Sequence, residues 1–212
     1  MLAATLALLD ALNPEKIIEK GGLLVVALVI FAESGLLIGF FLPGDSLLFV
    51  AGFLASKPKG LPHLNQPLPI VCLVLFAAAV IGDQVGYQFG KRVGPMLFSR
   101  PDSRLFKQAH VVKAREFFDR HGSKTIVLAR FVPIVRTFAP IIAGVSGMTY
   151  RTFTMFNLLG GFLWAVGLTV AGYFLGQIDA VKNNLEIALP LIVALSLIPV
   201  AVEFVRHRRA AH

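Results

Sequence analysis

Ala129-Arg130-Phe131-Val132-Pro133-Ile134-Val135-Arg136-Thr137-Phe138-Ala139-Pro140-Ile141-Ile142-Ala143-Gly144 places two arginines six residues apart in an otherwise apolar run, with a proline after each. An arginine at the centre of a bilayer costs about 2.5–3.5 kcal/mol on insertion scales, so two offset much of what the neighbouring Ile, Val and Phe contribute. They are tolerated where they face a wet cavity, a carboxylate or an anionic ligand. Pro133 and Pro140 each remove a backbone N–H, which argues against one straight, lipid-facing helix. The stretch reads as a broken, re-entrant segment presenting cations to an anionic partner, with Pro133, Pro140 and Gly144 as its supports.

Composition sets that segment in a membrane. The chain has 212 residues, of which 56% are hydrophobic and 15% charged, with a mean hydropathy of +0.76. These values describe a polytopic integral membrane protein, one membrane domain over 1–212 with no separate soluble module. The net charge of +8 lies mostly in one loop and the C-terminal tail. That distribution reads as positive-inside topology and anionic headgroups, and nucleic acid is not an expected partner. Cys72 is the single cysteine and falls in an apolar run, as a small buried hydrophobe does. The five histidines have no metal-ligand spacing, and neither a metal nor another cofactor is expected. The start lacks a basic n-region and a small-residue cleavage site, so no cleaved signal is expected.

Working outward from the arginines, Thr125 to Met148 forms one hairpin, and a similar construction precedes it. Residues 1–20 open with an apolar stretch too short to cross, which reads as an interfacial helix. Leu23 to Leu42 is long enough to cross but carries Glu33 and stops at Pro43-Gly44-Asp45, with a second apolar run, Ser46 to Ala55, directly behind. No polar loop separates the two runs, so the chain turns back inside the membrane, with Pro43 ending a helix and Gly44 permitting the turn. Leu68 to Gly90 reads as a crossing interrupted at Gly82-Asp83 and closing at Gly86-Tyr87-x-x-Gly90. Residues 91–124 are strongly basic and contain an amphipathic helix over Ser103–His121 that lies on the headgroups. Phe153 to Gly176 is a second crossing, whose Gly160–Gly172 face suits a homo-oligomer or internal packing alike. Ile187 to Val205 is the third, followed by the basic tail 206–212. Both basic segments are cytoplasmic by the positive-inside rule, and two crossings between them make the assignments agree.

The chain repeats itself. A shift of 97 residues lays Ala32-Glu33 on Ala129-Arg130 and Pro43 on Pro140, and Gly86-Tyr87-x-x-Gly90 matches Gly172-Tyr173-x-x-Gly176 at another offset. Each half, 22–90 and 125–176, reads as a hairpin, a proline break and a helix closing in GYxxG. One crossing separates the hairpins, so they enter from opposite faces. The fold class expected is therefore all-α integral membrane: two oppositely oriented re-entrant hairpins, about three transmembrane helices, an inverted repeat and amphipathic interfacial helices. Such repeats place a substrate site at the midplane, where Glu33 and the arginines meet as acid and base.

The ionisable residues at membrane depth are Glu33, Asp45, Asp83, Arg130 and Arg136. Arg130 and Arg136 supply fork-shaped, permanently charged donors that match a phosphate, and are the candidate substrate-binding residues. Glu33 and Asp45 are the candidate proton-coupling residues, because a carboxyl group leaving water can exchange its proton. A proton crossing the full potential gains about 2.3 kcal/mol per 100 mV, roughly fifty-fold in an equilibrium. Asp83 either joins this set or only satisfies backbone groups at a helix irregularity. Tyr87, Tyr173 and Trp164 read as packing or interface anchors. A fixed salt-bridge network is the competing account of the charges. No membrane histidine or Ser-His pair is available, so an enzyme is not expected.

Glu33-Ser-Gly-Leu-Leu with Phe41-Leu-Pro-Gly-Asp45, then Gly82-Asp83-x-x-Gly-Tyr-x-x-Gly90, then Arg130-Phe-x-Pro-x-x-Arg136-x-x-x-Pro-x-x-Ala-Gly144 resemble the DedA family of SNARE-associated or VTT-domain membrane proteins. The resemblance covers Gly22 to Gly176 in unbroken motif order. It implies facing re-entrant hairpins in a bacterial inner membrane protein, and lipid translocation linked to the proton motive force. The partners it implies are membrane lipids and protons, and the residues implicated are Glu33, Asp45, Arg130 and Arg136. The lipid is an undecaprenyl phosphate carrier returning to the cytoplasmic leaflet, or a phospholipid. A phosphatidylethanolamine-type scramblase and a proton-coupled small-molecule or ion transporter stand as alternatives.

Overall fold

The structure, a computed structural model, describes residues 14–36, 44–58, 64–98 and 122–178. The regular elements among them are helical: α1 (Pro14–Gly35), α2 (Gly44–Ala55), α3 (Leu68–Phe98), α4 (Thr125–Ala129), α5 (Pro133–Val145), α6 (Tyr150–Gly161), a π-helical turn (Phe162–Val166) and α7 (Gly167–Leu175). The chain divides into two compact units, Met1–Val29 with Leu42–Leu75 and Ala165–His212, and Ile30–Phe41 with Phe76–Trp164. The turn at Pro43, the amphipathic helix at Ser103–His121, the last crossing at Ile187–Val205 and the tail at 206–212 lie outside the described residues, as does the N-terminal segment before Pro14.

Among the described residues two apolar stretches are long enough to cross a bilayer, Leu68–Val93 and Tyr150–Leu175, of 26 residues each. At 1.5 Å per residue each extends about 39 Å, against a hydrocarbon core of about 30 Å. Their polarity is turned inside out. On α3 the exposed face carries Ile70, Leu73, Ile81, Val85 and Phe89, while Asp83 is buried; on α6, Met155, Leu158 and Leu159 face outward while Asn157 is buried. A soluble protein puts its charges outside, so this distribution fits a hydrocarbon solvent. The shorter apolar helices, Gly22–Gly35, Gly44–Ala55 and Val135–Val145, do not cross alone.

Helix boundaries depart from the sequence reading at three points. The first crossing-length run ends early, because α1 stops at Gly35. Gly82-Asp83 does not interrupt α3, and Gly90 does not close it: the helix runs on to Phe98. Those glycines mark close packing instead of a break. Third, Pro140 lies inside α5. The interruption in the arginine segment falls earlier, where Val132 is extended (φ −115°, ψ 110°) and Pro133 begins the next helix. Proline is preorganised for that first-turn position, where its missing N–H has no helical partner to lose.

Each unit is assembled by one rule. In the first, Gly52 of α2 lies against the Thr169 backbone and Gly172 of α7 against the Phe49 backbone. In the second, Gly90 of α3 meets the Ile141 backbone and Gly144 of α5 meets the Tyr87 backbone. A Cβ at any of the four would overlap a carbonyl oxygen, so the helices approach as closely as small residues allow. The Gly86-Tyr87-x-x-Gly90 stretch of α3 thus packs on α5, and the Gly172-Tyr173-x-x-Gly176 stretch of α7 on α2. Gly147 (φ +79°) then turns the chain at the end of α5, bringing the Met148 N–H to the Ala143 carbonyl at 3.1 Å in a Schellman-type closure. Tyr87 stacks on Phe153 with centroids 4.4 Å apart and donates its hydroxyl to the Met148 carbonyl at 2.5 Å.

Candidate functional site

The second unit gathers four charged side chains from four parts of the chain. Glu33 comes from the last turn of α1, Asp83 from the inward face of α3, Arg130 from the break after α4 and Arg136 from the first turns of α5. Gly35 and Gly82 bring α1 and α3 together: a Cβ at Gly35 would stand 2.7 Å from the Gly82 carbonyl oxygen, and one at Gly82 2.6 Å from that of Phe31. That contact holds Glu33 beside the middle of α3.

The pairing is specific. Arg130 forms an ion pair with Asp83, and Arg136 one with Glu33. Equivalence in the repeat sets Glu33 against Arg130, but the packing gives Glu33 to Arg136. Asp83 is not a backbone-satisfying group at an irregularity. It is the partner of a guanidinium in a regular stretch of helix. Glu33 is 1% exposed, and Asp83 and Arg130 4% each, so both pairs lie where an unpaired charge is costly. Two carboxylates against two guanidiniums leave the cluster without net formal charge. Asp45 belongs to the first unit, in the first turn of α2. Pro43 lies outside the described residues, Gly44 begins α2, and Pro133, Pro140 and Gly144 shape α5 as described above.

Two further residues belong to the cluster, and sequence patterning did not single them out for it. Asn157, fully buried on α6, accepts a hydrogen bond from the Arg130 Nη2 and donates through Nδ2 to the Val80 carbonyl at 3.2 Å. Its amide is held from behind, so its oxygen is fixed toward the guanidinium. Trp164 lies in the π-helical turn, with the Arg136 Cζ 4.7 Å and the Arg130 Cζ 5.7 Å from its ring centroid. The signal for both was spacing: Phe153, Asn157, Gly160 and Trp164 recur at helical intervals on one buried face. Gly160 keeps that face open, since a Cβ there would stand 3.0 Å from the Arg130 Cδ. One turn away Gln84 donates to the Thr154 hydroxyl at 3.1 Å, continuing the polar seam between α3 and α6. Among the described residues no group of three or more His, Cys, Asp or Glu stands together as a metal site.

Chemically, this is a buried, neutralised pair of forks. A guanidinium donates in its plane through its N–H edges, so an incoming phosphate competes there with the carboxylates already in place.

Comparison with known proteins shows the family. The VTT domain model matches residues 42–174. The chain is 46% identical to the protein DedA of Escherichia coli K12 over 88% of its own length and 84% of the relative's. It is 43% identical to an uncharacterized membrane protein of Mycobacterium tuberculosis, over 99% and 93%. It is 35% identical to the inner membrane protein YghB of Salmonella typhimurium, over 84% and 77%. No solved structure matches the chain significantly.

Proposed function

The chain belongs to the DedA family of VTT-domain membrane proteins, and from there we propose that it translocates an anionic polyprenyl phosphate, an undecaprenyl-phosphate-type carrier lipid, toward the cytoplasmic leaflet of a bacterial inner membrane. The observation that carries this reading is the buried neutral cluster, in which each of two guanidinium groups is closed on its own carboxylate. A phosphate monoester suits such forks as a carboxylate does, and it enters when a carboxylate lets go.

Protonation supplies the release. A proton on Glu33 removes the charge that holds Arg136 and frees an N–H edge for the lipid phosphate. Return of the proton to water restores the ion pair and expels the headgroup. The Glu33 carboxylate and the phosphate thus compete for Arg136, and a proton on Glu33 favours the phosphate, which links lipid movement to the proton motive force, with Asp45 as the second proton carrier. The basic loop and tail favour a cytoplasmic C-terminus, and the headgroup travels inward with the proton.

The test is transport in proteoliposomes, with a labelled polyprenyl phosphate set beside phosphatidylethanolamine and an imposed proton gradient. Wild-type protein moves the phosphate lipid faster, and Arg136→Ala abolishes the difference. Equal movement by Arg136→Ala removes the phosphate-clamp role. Equal movement of the zwitterionic lipid makes the protein a phospholipid scramblase, and proton flux with no lipid movement makes it a small-molecule or ion transporter.

A further inference from the structure

We infer that Trp164 is a positioning residue of the anion site, its indole ring holding both guanidinium groups while their N–H edges are left to the acids and, in turn, to the phosphate. The inference rests on the phosphate-lipid reading above and adds a residue to it.

The geometry separates two kinds of contact. A guanidinium hydrogen-bonds in its plane, along its edge, and interacts with an aromatic ring through its face. Arg130 and Arg136 each lie over the Trp164 ring, whereas their N–H groups reach Asp83, Asn157 and Glu33. Exchange of a carboxylate for a phosphate therefore takes place on the N–H edge and leaves the contact with the ring in place. Without such a face, an arginine released from its carboxylate carries a desolvated charge with less to hold it in place. The negative potential above an indole supplies that hold, and tryptophan provides it best among the aromatic residues. An aliphatic side chain of similar volume would exclude water but offer no such potential.

The local backbone supports the assignment. Trp164 is the middle residue of the π-helical turn Phe162–Val166. A π turn inserts one residue into the helical phase and rotates the succeeding turns by about 100°. The ring is buried, 3% exposed, and Gly160 and Gly161 leave its neighbourhood open for the Arg130 side chain.

Trp164 is the only tryptophan in the chain, so growth of a tryptophan auxotroph on fluorinated tryptophans alters this ring and no other. Fluorination drains the ring's negative potential with little change of shape. The probe is farnesyl phosphate, titrated into the purified full chain in nanodiscs, with farnesol as the control lacking the phosphate. Affinity for farnesyl phosphate is expected to fall stepwise with each added fluorine, reaching about fivefold in the trifluorinated protein. Trp164→Phe keeps a ring face and loses less affinity than Trp164→Leu, at comparable thermal stability. A flat fluorination series in a protein that binds farnesyl phosphate overturns the role of Trp164 and leaves the phosphate-lipid reading standing. Equal loss in Trp164→Phe and Trp164→Leu does the same. Failure of the unlabelled protein to bind farnesyl phosphate in preference to farnesol overturns the phosphate-lipid reading and this inference together.

Discussion

Replacing Asp83 by Leu strands the Arg130 charge in the interior, and a second substitution reveals what the pair is for. Breaking one side of a buried ion pair costs about 3–5 kcal/mol, a large fraction of a typical folding stability of about 5–15 kcal/mol. Arg130→Met alone costs at least as much, because it strands Asp83 and also leaves the Asn157 oxygen without its donor. With both changes together the charges vanish and only the Asn157 oxygen is left wanting, a penalty of about 1–3 kcal/mol. Arg130→Met is therefore destabilising in the wild type and stabilising, by about 2 kcal/mol, in the Asp83→Leu background. Reversible urea unfolding of the four proteins in mixed micelles, followed by far-ultraviolet circular dichroism, reads that reversal directly. Loss of similar size in both backgrounds would refute the pairing. Transport is the companion measurement. The double variant regains stability but not lipid movement, and recovery of both would reduce Arg130 to a clamp.

Three other perturbations test the same geometry. Gly82→Ala drives a methyl to 2.6 Å from the Phe31 carbonyl oxygen; overpacking of this kind costs about 1–3 kcal/mol, and transport falls further than stability because Glu33 is displaced from Arg136. Unfolding and transport measured together check it, and unchanged transport would count against it. Tyr87→Phe removes the hydrogen bond to the Met148 carbonyl and lowers stability by about 1 kcal/mol, seen as a shift of the urea midpoint at constant slope. Asn157→Ala takes away a charged hydrogen bond to Arg130, worth about 1.5–3 kcal/mol, and Asn157→Gln does not restore it, since the longer amide cannot keep both Val80 and Arg130. Restoration by glutamine would show that the anchoring to Val80 is dispensable.

Much of the fold was legible because lipid imposes simple rules. Length and polarity located both crossing-length helices among the described residues, and charges in apolar runs marked the residues that form the buried ion pairs. The errors have one physical origin. Gly82 and Pro140 read as breaks, the usual meaning of such residues in water, yet Gly82 serves as a contact surface and Pro140 sits within a helix. Packed neighbours inside a membrane can satisfy the backbone that such residues disturb. The choice of partners was not legible either. Repeat symmetry relates Glu33 to Arg130 by position in the chain, whereas pairing is decided by which helices touch, and the Gly35–Gly82 approach decides it. Asn157 carries no charge and lies on a face that reads as apolar, so only coordinates reveal that it grips a guanidinium.

The reciprocal glycine contacts impose an order on synthesis. The surface around Gly52 is complete long before the ribosome reaches its counterpart around Gly172, and neither half owns both sides of either contact. A nascent first half must therefore wait, with bare backbone-lined grooves, until the second is inserted. A polypeptide severed in the basic loop yields two fragments obliged to recombine, because each holds what the other lacks.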